Sequence, residues 1–424
     1  MSQATQSAPV PSSAPAATPA PPAATAAPPP PATRGQSATP AQVRRLRVAL
    51  SAMALILGLL LLAQQLNDYL ASARAVSDTE QLVRAQEIKA QLLRADALAT
   101  NAFLIGGLEP AEQRTAYSTA LGTVVSDIAS AATAQSADTE VLTLLNAQVA
   151  RYTGLMEQAR ANNRQGLPVG AAYLRLASAE LRSSAIPLIG AVITANEERS
   201  RNSITPTPWL LALVPGLIGA ALLWVANRWT ARRFHRRVNP GLAGAAAALL
   251  IASVLAAWML YSRDARITEL RAGAYADTVQ SAQALSAAHD ARSYESLRLI
   301  DRGSKDKWEK PFQTASGVLT EAGTTGWPEF LAEHDKVVAR DAGGDWDGAV
   351  QLSTATGAGT PSAAFDTVVS GLGSQNQAAV AQTRDALSQG RQWFLVGAAG
   401  GAVAGLVAAL AIWAGLGARL KEYL

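Results

Sequence analysis

Four stretches of the chain are almost wholly apolar and carry no charged side chain: Val48 to Leu66, Trp209 to Ala226, Gly241 to Tyr261 and Trp393 to Leu416. At 1.5 Å of rise per residue each is long enough to cross roughly 30 Å of hydrocarbon, so the pattern predicts four transmembrane helices. Six of the nine tryptophans, Trp209, Trp224, Trp229, Trp258, Trp393 and Trp413, lie near the ends of these stretches, where an amphipathic ring prefers the headgroup layer.

Between the spans the apolar residues thin to narrow helical seams. Ile88, Leu92, Ala95, Ala99 and Ala102 alternate in steps of four and three, and Leu174, Ala177, Leu181, Ser184, Leu188, Ala191 and Ala195 in steps of three and four. Gly106, Gly107 and Pro110 stop the first helix, and the pieces starting at Glu112 and Asp138 supply two more, so residues 67–208 are expected to form an antiparallel four-helix bundle. The plan repeats over residues 262–392, with a helix running out of the third span to about Asp301. A returning seam follows through Phe365, Val369, Leu372, Asn376, Ala379, Thr383 and Ala386. No alternating strand pattern is present, and the expected fold class is an all-α integral membrane protein: four transmembrane helices and two extracytoplasmic helical-bundle domains.

Charge orients this plan. The segment before the first span carries Arg34, Arg44, Arg45 and Arg47 without an acid, and the loop 227–240 carries Arg228, Arg232, Arg233, Arg236 and Arg237, again without one. The segments 67–208 and 262–392 each hold more acidic than basic residues. Lys and Arg flanking a span are held on the cytoplasmic side, so both termini, the basic loop and the tail 417–424 are expected inside the plasma membrane. Ala71, Ser72 and Ala73 offer a signal-peptidase-like site, but the long leader before the first span favours an uncleaved anchor. Residues 1–42 hold 11 of the 21 prolines among Ala, Ser and Thr, a composition that predicts a disordered tail.

Composition narrows the chemistry. The absence of cysteine removes thiolate metal sites and cysteine nucleophiles, and three scattered histidines give little for acid–base or metal work. No catalytic residue, metal site or cofactor is expected, and the positive charge beside the membrane gives no reason to expect nucleic acid. His289-Asp290 and His334-Asp335 place their members on different helix faces, which does not suit a metal. No span contains an ionisable residue of the kind that ion pathways ordinarily need.

Several residues invite two readings. Arg228, Arg232, Arg233, Arg236 and Arg237 contact anionic lipid headgroups or an acidic cytoplasmic partner. Gly397, Gly401 and Gly405 form a repeated G-x-x-x-G that packs against a neighbouring span or supports a homodimer. Pro187, inside the second seam, is a static bend or a hinge. Asn376 and Thr383 fix helix register or touch a ligand, and Trp308, Trp327 and Trp346 form a small core or a docking patch.

The stretch Asp96-Ala-Leu-Ala-Thr-Asn101-Ala-Phe-Leu-Ile-Gly-Gly107, followed by the Tyr117 helix and by Tyr152-Thr-Gly-Leu-Met-Glu-Gln-Ala-Arg160, resembles the four-helix-bundle sensor modules of chemoreceptors and histidine kinases. The resemblance covers residues 67–205, and it puts a small-molecule contact near Arg94, Asn101 and Tyr152. The doubled layout, with a proline-rich inner tail and no effector domain, resembles actinobacterial membrane proteins of the GlnX type. These are encoded beside a glutamate-binding lipoprotein and serine/threonine protein kinase G. That resemblance implies an extracytoplasmic solute-binding lipoprotein and a cytoplasmic serine/threonine kinase as partners. The expected function is a non-enzymatic transmembrane signal transducer. The alternatives are a structural or scaffolding protein of the envelope and a transporter accessory subunit.

Overall fold

The computed structural model describes residues 39–106, 109–206, 208–234, 238–302 and 305–420, and among them there is no strand. Most of the expected tail 1–42, together with Arg236 and Arg237, lies outside the described residues, as does the side chain of Arg233.

Helix α1 (Thr39–Ile105) runs without a break from the first apolar stretch through the whole of the first seam. Its 67 residues make a rod about 100 Å long. Helices α2 (Ala111–Ala134) and α3 (Thr139–Arg164) follow, then α4 (Val169–Glu180) and α5 (Ile186–Ser203), which are joined by a π-helical turn at Leu181–Ala185. α1 packs on α2 and α5, and α3 on α4, around one core that includes Ile88, Leu92, Val124, Leu145, Tyr152, Met156, Leu174 and Ile189.

All five predicted seam residues of α1 are buried. The second seam holds only as far as Leu181; beyond it the buried positions are Ala185, Ile189, Val192 and Asn196, each one residue later than expected. The π-turn is the cause. It takes one more residue per turn than an α-helix and so shifts the phase of everything that follows. The same turn accommodates Pro187, which cannot donate to the carbonyl four residues back; Ile186 N bonds Leu181 O, five back.

A short 3₁₀ segment (Trp209–Leu213) leads into α6 (Val214–Phe234), and α7 (Pro240–Ala272) follows the basic loop. The helix expected to run from the third span to Asp301 is broken at Gly273, where φ −112° and ψ −110° lie outside helical geometry; α8 (Ala274–Ile300) starts afresh. The remaining helices are α9 (Lys305–Glu321), α10 (Trp327–Ala342), α11 (Trp346–Thr354), α12 (Pro361–Ser388) and α13 (Arg391–Leu420). Trp327, Phe312 and Phe330 centre the core of this second half, against Val368 and Leu372 of α12. On α12 the seam fits in its middle, at Leu372, Ala379 and Thr383; towards its ends Val368 and Leu387 are buried where Val369 and Ala386 were expected.

Five helical segments are long and apolar enough to cross a membrane: Ala41–Ile105, Val169–Ser203, Trp209–Arg232, Pro240–Ile300 and Pro361–Ala418. They differ in where their large apolar side chains go. In Val169–Ser203 Leu174, Leu181, Ile189 and Val192 fill the first core. In the other four a belt stays exposed, including Ile56 and Leu59, Trp224 and Val225, Ile251 and Trp258, and Leu406 and Leu410. An exposed apolar surface of that extent needs a hydrocarbon or protein cover.

Small residues bring these apolar segments together. A Cβ on Gly405 would lie 2.8 Å from Gly58 Cα, and one on Gly401 would lie 2.8 Å from Leu61 Cβ, so α1 and α13 approach backbone to backbone. Gly397 lies against Gln65 and Met259. Gly405→Leu is therefore expected to destabilise the purified protein by about 1–3 kcal/mol, as overpacking does. Gly400→Leu, at a position with nothing within 4 Å, should leave its thermal unfolding in detergent unchanged.

Candidate functional site

Asp96 occupies a place that its neighbours in sequence do not advertise. It follows the seam residue Ala95 on α1 and is fully buried, and an isolated carboxylate there would be strongly destabilising. Four side chains compensate it. Ser178 Oγ donates to Asp96 Oδ1 at 2.6 Å, and Tyr152 Oη donates to the same oxygen at 3.4 Å. Arg182 Nη1 donates to Oδ2 at 2.7 Å, and Ser293 Oγ to Oδ2 at 2.6 Å.

These donors come from four helices. Tyr152 belongs to α3, Ser178 to α4, Arg182 to the π-turn and Ser293 to α8 of the second half. Arg182 also donates from Nη2 to Asp290 Oδ1 at 2.9 Å and lies 4.7 Å from the Tyr294 ring centroid. One guanidinium thus bridges a carboxylate of each half. Burial alone would lower the Arg182 pKa, but Asp96 and Asp290 outweigh it and hold the group above its ordinary value. Burial pushes the Asp290 carboxyl up, with Arg182 opposing, and burial together with Asp96 pushes the Tyr152 hydroxyl well up. We call this arrangement the clasp.

The clasp explains why α1 and α8 are buried on so much of their circumference. α1 faces its own bundle on one side and α8 on the other, so Leu93, Asp96, Ala97 and Thr100 are buried as well as the predicted seam. A second buried carboxylate, Asp138, holds α1 to α5 farther along the bundle. It accepts from Gln81 at 3.2 Å, from Asn196 at 2.7 Å and from Arg199. Burial raises its pKa, but those donors outweigh this and the net shift is downward.

The second half has a buried polar centre of its own. Glu295 accepts from Arg292 Nη1, from Ser353 Oγ at 2.9 Å and from His334 Nδ1 at 2.6 Å, the ionised carboxylate requiring the proton to sit on the histidine nitrogen. Burial raises the Glu295 pKa, but Arg292, His334 and Ser353 more than reverse that, and it falls to about 2. His334 also stacks on Phe312 at 3.9 Å.

The residues singled out from sequence are dispersed. Tyr152 is in the clasp; Asn101 Oδ1 accepts from Gln113 at 3.2 Å; Arg94 is exposed on the His289 side of α1. No hydrogen bond joins any two of the three. Pro187 stands two residues past the π-turn. Arg228 lies 5.7 Å from the Trp224 ring and Arg232 is exposed. Asn376 Oδ1 accepts from Ser281 at 3.0 Å, and Thr383 pairs with Thr278 at 3.1 Å, both within the second half. Trp327 is core, Trp308 stacks on Tyr294, and Trp346 Nε1 donates to Leu299 O at 2.8 Å.

His289, buried on α8 against Phe365 and near Arg94 of α1, carries a pH dependence. Burial, with Arg94 adding to it, lowers its pKa to about 3 from 6.5. The unfolded chain therefore binds a proton that the folded chain refuses. Stability is complete above pH 6.5 and falls as pH drops toward 3. Between pH 7 and pH 5 the loss is expected to be about 2 kcal/mol. Denaturant titrations at the two pH values measure it, and in His289→Leu most of that difference should vanish.

Residues 71–205 match the family described as an actinobacterial sensor domain. The match takes in α1 from just beyond the first apolar stretch through to the end of α5, and so includes Asp96, Tyr152, Ser178 and Arg182 of the clasp. No curated protein and no solved structure matches the chain.

Proposed function

We propose that this protein is a non-enzymatic transmembrane signal transducer in which the sensor-family bundle is the receiving domain and the clasp its output joint. Four of the five apolar helical segments cross the membrane, and Val169–Ser203 stays outside as part of the first bundle. Both termini and the basic loop are cytoplasmic. Three things support this membrane arrangement: the four belts of exposed apolar side chains, the run of arginines from Arg228 to Arg237 that ends α6 and precedes α7, and the ion pairs of Arg175 with Asp301 and Arg182 with Asp96. The latter two would be costly in lipid.

The observation that carries the reading is the bridging of Asp96 and Asp290 by Arg182 from a π-turn. π-turns are strained insertions that recur at functional sites, and this one holds the only guanidinium in the clasp. Asp96 sits on the unbroken α1, about 45 Å of rigid helix from the end of the first span. A shift of α4 and the π-turn relative to α1 changes the contact with α8 and displaces a rod that ends in the cytoplasm. Helix shifts of about 1–2 Å suffice for such signals. The cytoplasmic receiver is a protein that reads the basic loop, α1's inner end or the tail, and a serine/threonine kinase fits this role. A solute-binding lipoprotein is one source of the outer signal.

The test is an in-cell cross-linking pull-down of the tagged full-length protein, compared with a variant in which the five loop arginines are changed to Gln. Recovery of a cytoplasmic protein from the first and not the second supports the transducer. Recovery of only lipid and further copies of the chain would make it an envelope scaffold.

A further inference from the structure

Beyond the clasp, at the end of the bundle where α1 gives way to α2, the first core is left incompletely filled. A cavity of about 290 Å³ opens there, at the small end of the range for ligand sites. Its floor is apolar, made by Ala99, Ala102, Phe103, Met156 and Leu174. Its rim is charged: Arg114, Arg160 and Arg164 stand around it with Glu109 as the one lining acid.

Arg160 is the anchor. Its side chain is only 10% exposed, lies 3.8 Å from the Tyr117 ring centroid and donates to Glu157 at 2.9 Å and Glu109 at 3.2 Å. Arg114 and Arg164 are exposed at the mouth, and Arg114 is about 3.6 Å from the same Glu109 carboxylate. Glu157 pairs with both Arg114 and Arg160, so three guanidiniums meet two carboxylates and leave one positive charge in excess over an apolar floor.

We propose that this cavity binds a small organic carboxylate, its apolar body on the Met156 and Leu174 floor and its anion among Arg114, Arg160 and Arg164. The placement gives binding a consequence. Ala99 is three residues past Asp96 on α1, and Leu174 is four residues before Ser178 on α4, so the floor lies one turn from the clasp on the same two helices. A ligand wedged between them acts on the spacing that Asp96 and Ser178 fix. This consequence rests on the transducer reading; the binding does not.

The experiment uses the full-length protein in lipid nanodiscs and calorimetric titration with benzoate and butyrate as probes. Benzamide, the same apolar body without the charge, is the comparison. Saturable binding of a carboxylate is expected, with benzamide at least tenfold weaker than benzoate. Arg114→Gln with Arg164→Gln, both at exposed positions, should weaken binding about tenfold, and Ala102→Met, which fills the floor, should abolish it. Equal binding of benzoate and benzamide, no saturation by either carboxylate up to about 10 mM, or binding untouched by both sets of substitutions would each overturn the site. Those results involve no partner protein. An empty cavity with the pull-down intact removes only this site, and a filled cavity with no cytoplasmic partner removes only the transducer.

Discussion

Replacing Asp96 by Ala is expected to cost the protein about 3–5 kcal/mol and to part the first bundle from α8 and the second half. The loss exceeds that of one hydrogen bond because the substitution removes one of the two carboxylates of a largely buried guanidinium: Arg182 keeps Asp290 and the Ser178 carbonyl, while Ser178, Tyr152 and Ser293 lose their shared acceptor. Asp96→Asn keeps an acceptor oxygen and should cost less. Hydrogen exchange followed by mass spectrometry on the full-length protein measures both effects. Protection should fall most in α1 and α8 around the clasp, and much less in α9–α11. A uniform loss across the chain would mean that Asp96 serves only the first bundle's core.

Glu295→Ala should be equally severe but confined to the second half. It leaves Arg292, 5% exposed, with Ser353 O at 2.8 Å and Ser362 Oγ at 3.0 Å but without its ion-pair carboxylate, beside a histidine that has lost its acceptor. About 3–5 kcal/mol is expected here too. The acid range offers an independent check. With its pKa held down to about 2 against 4.5, Glu295 contributes stability that is complete above pH 4.5 and is lost as pH falls toward 2, about 3 kcal/mol in all. Tryptophan fluorescence reports it, since Trp308, Trp327 and Trp346 all lie in this half. The Glu295→Ala variant should unfold there first, with no further acid step over that window.

The helical plan was legible because apolar periodicity records burial directly. The α1 seam from Ile88 to Ala102 is buried at every predicted position, and the all-helical content follows from the same pattern. What escaped were features without period. The π-turn at Leu181–Ala185 adds one residue to a turn and leaves no mark in composition, so the second seam reads correctly to Leu181 and one residue early thereafter. The break at Gly273 falls in a helix whose neighbours are good helix formers, and a lone glycine does not by itself announce a stop.

The clasp was hidden for a different reason. Asp96, Asp290 and Arg182 each look like ordinary solvated charges on amphipathic helices, and only the packing of α1 against α8 buries them together. An acid directly beside the seam residue Ala95 was the available signal. Arg94, Asn101 and Tyr152 rest on side-chain chemistry and on a resemblance, and of these Tyr152 alone reaches the clasp. The cavity beyond it could not be read at all, because its lining draws on α1, α2, α3 and α4 and on residues such as Ala99 and Ala102 that the seam already accounted for as packing.

If the protein is a transducer, the state of the clasp is felt at the ends of the membrane helices proposed to lie in the cytoplasm. The chain has no cysteine, so spin labels can be placed cleanly by Gln42→Cys, near the start of α1, and Arg232→Cys, near the end of α6, the two ends proposed to lie in the cytoplasm. Pulsed electron-paramagnetic-resonance distances in nanodiscs are compared with and without Asp290→Asn, which loosens the clasp from the second half and leaves the first bundle's core untouched. A second label pair, Thr143→Cys on α3 and Thr314→Cys on α9, reports whether the two halves have parted. When the α3–α9 pair separates, the α1–α6 distance distribution is expected to move by about 2 Å or broaden. An α1–α6 distribution that stays the same while the α3–α9 pair separates would contradict signal relay through α1.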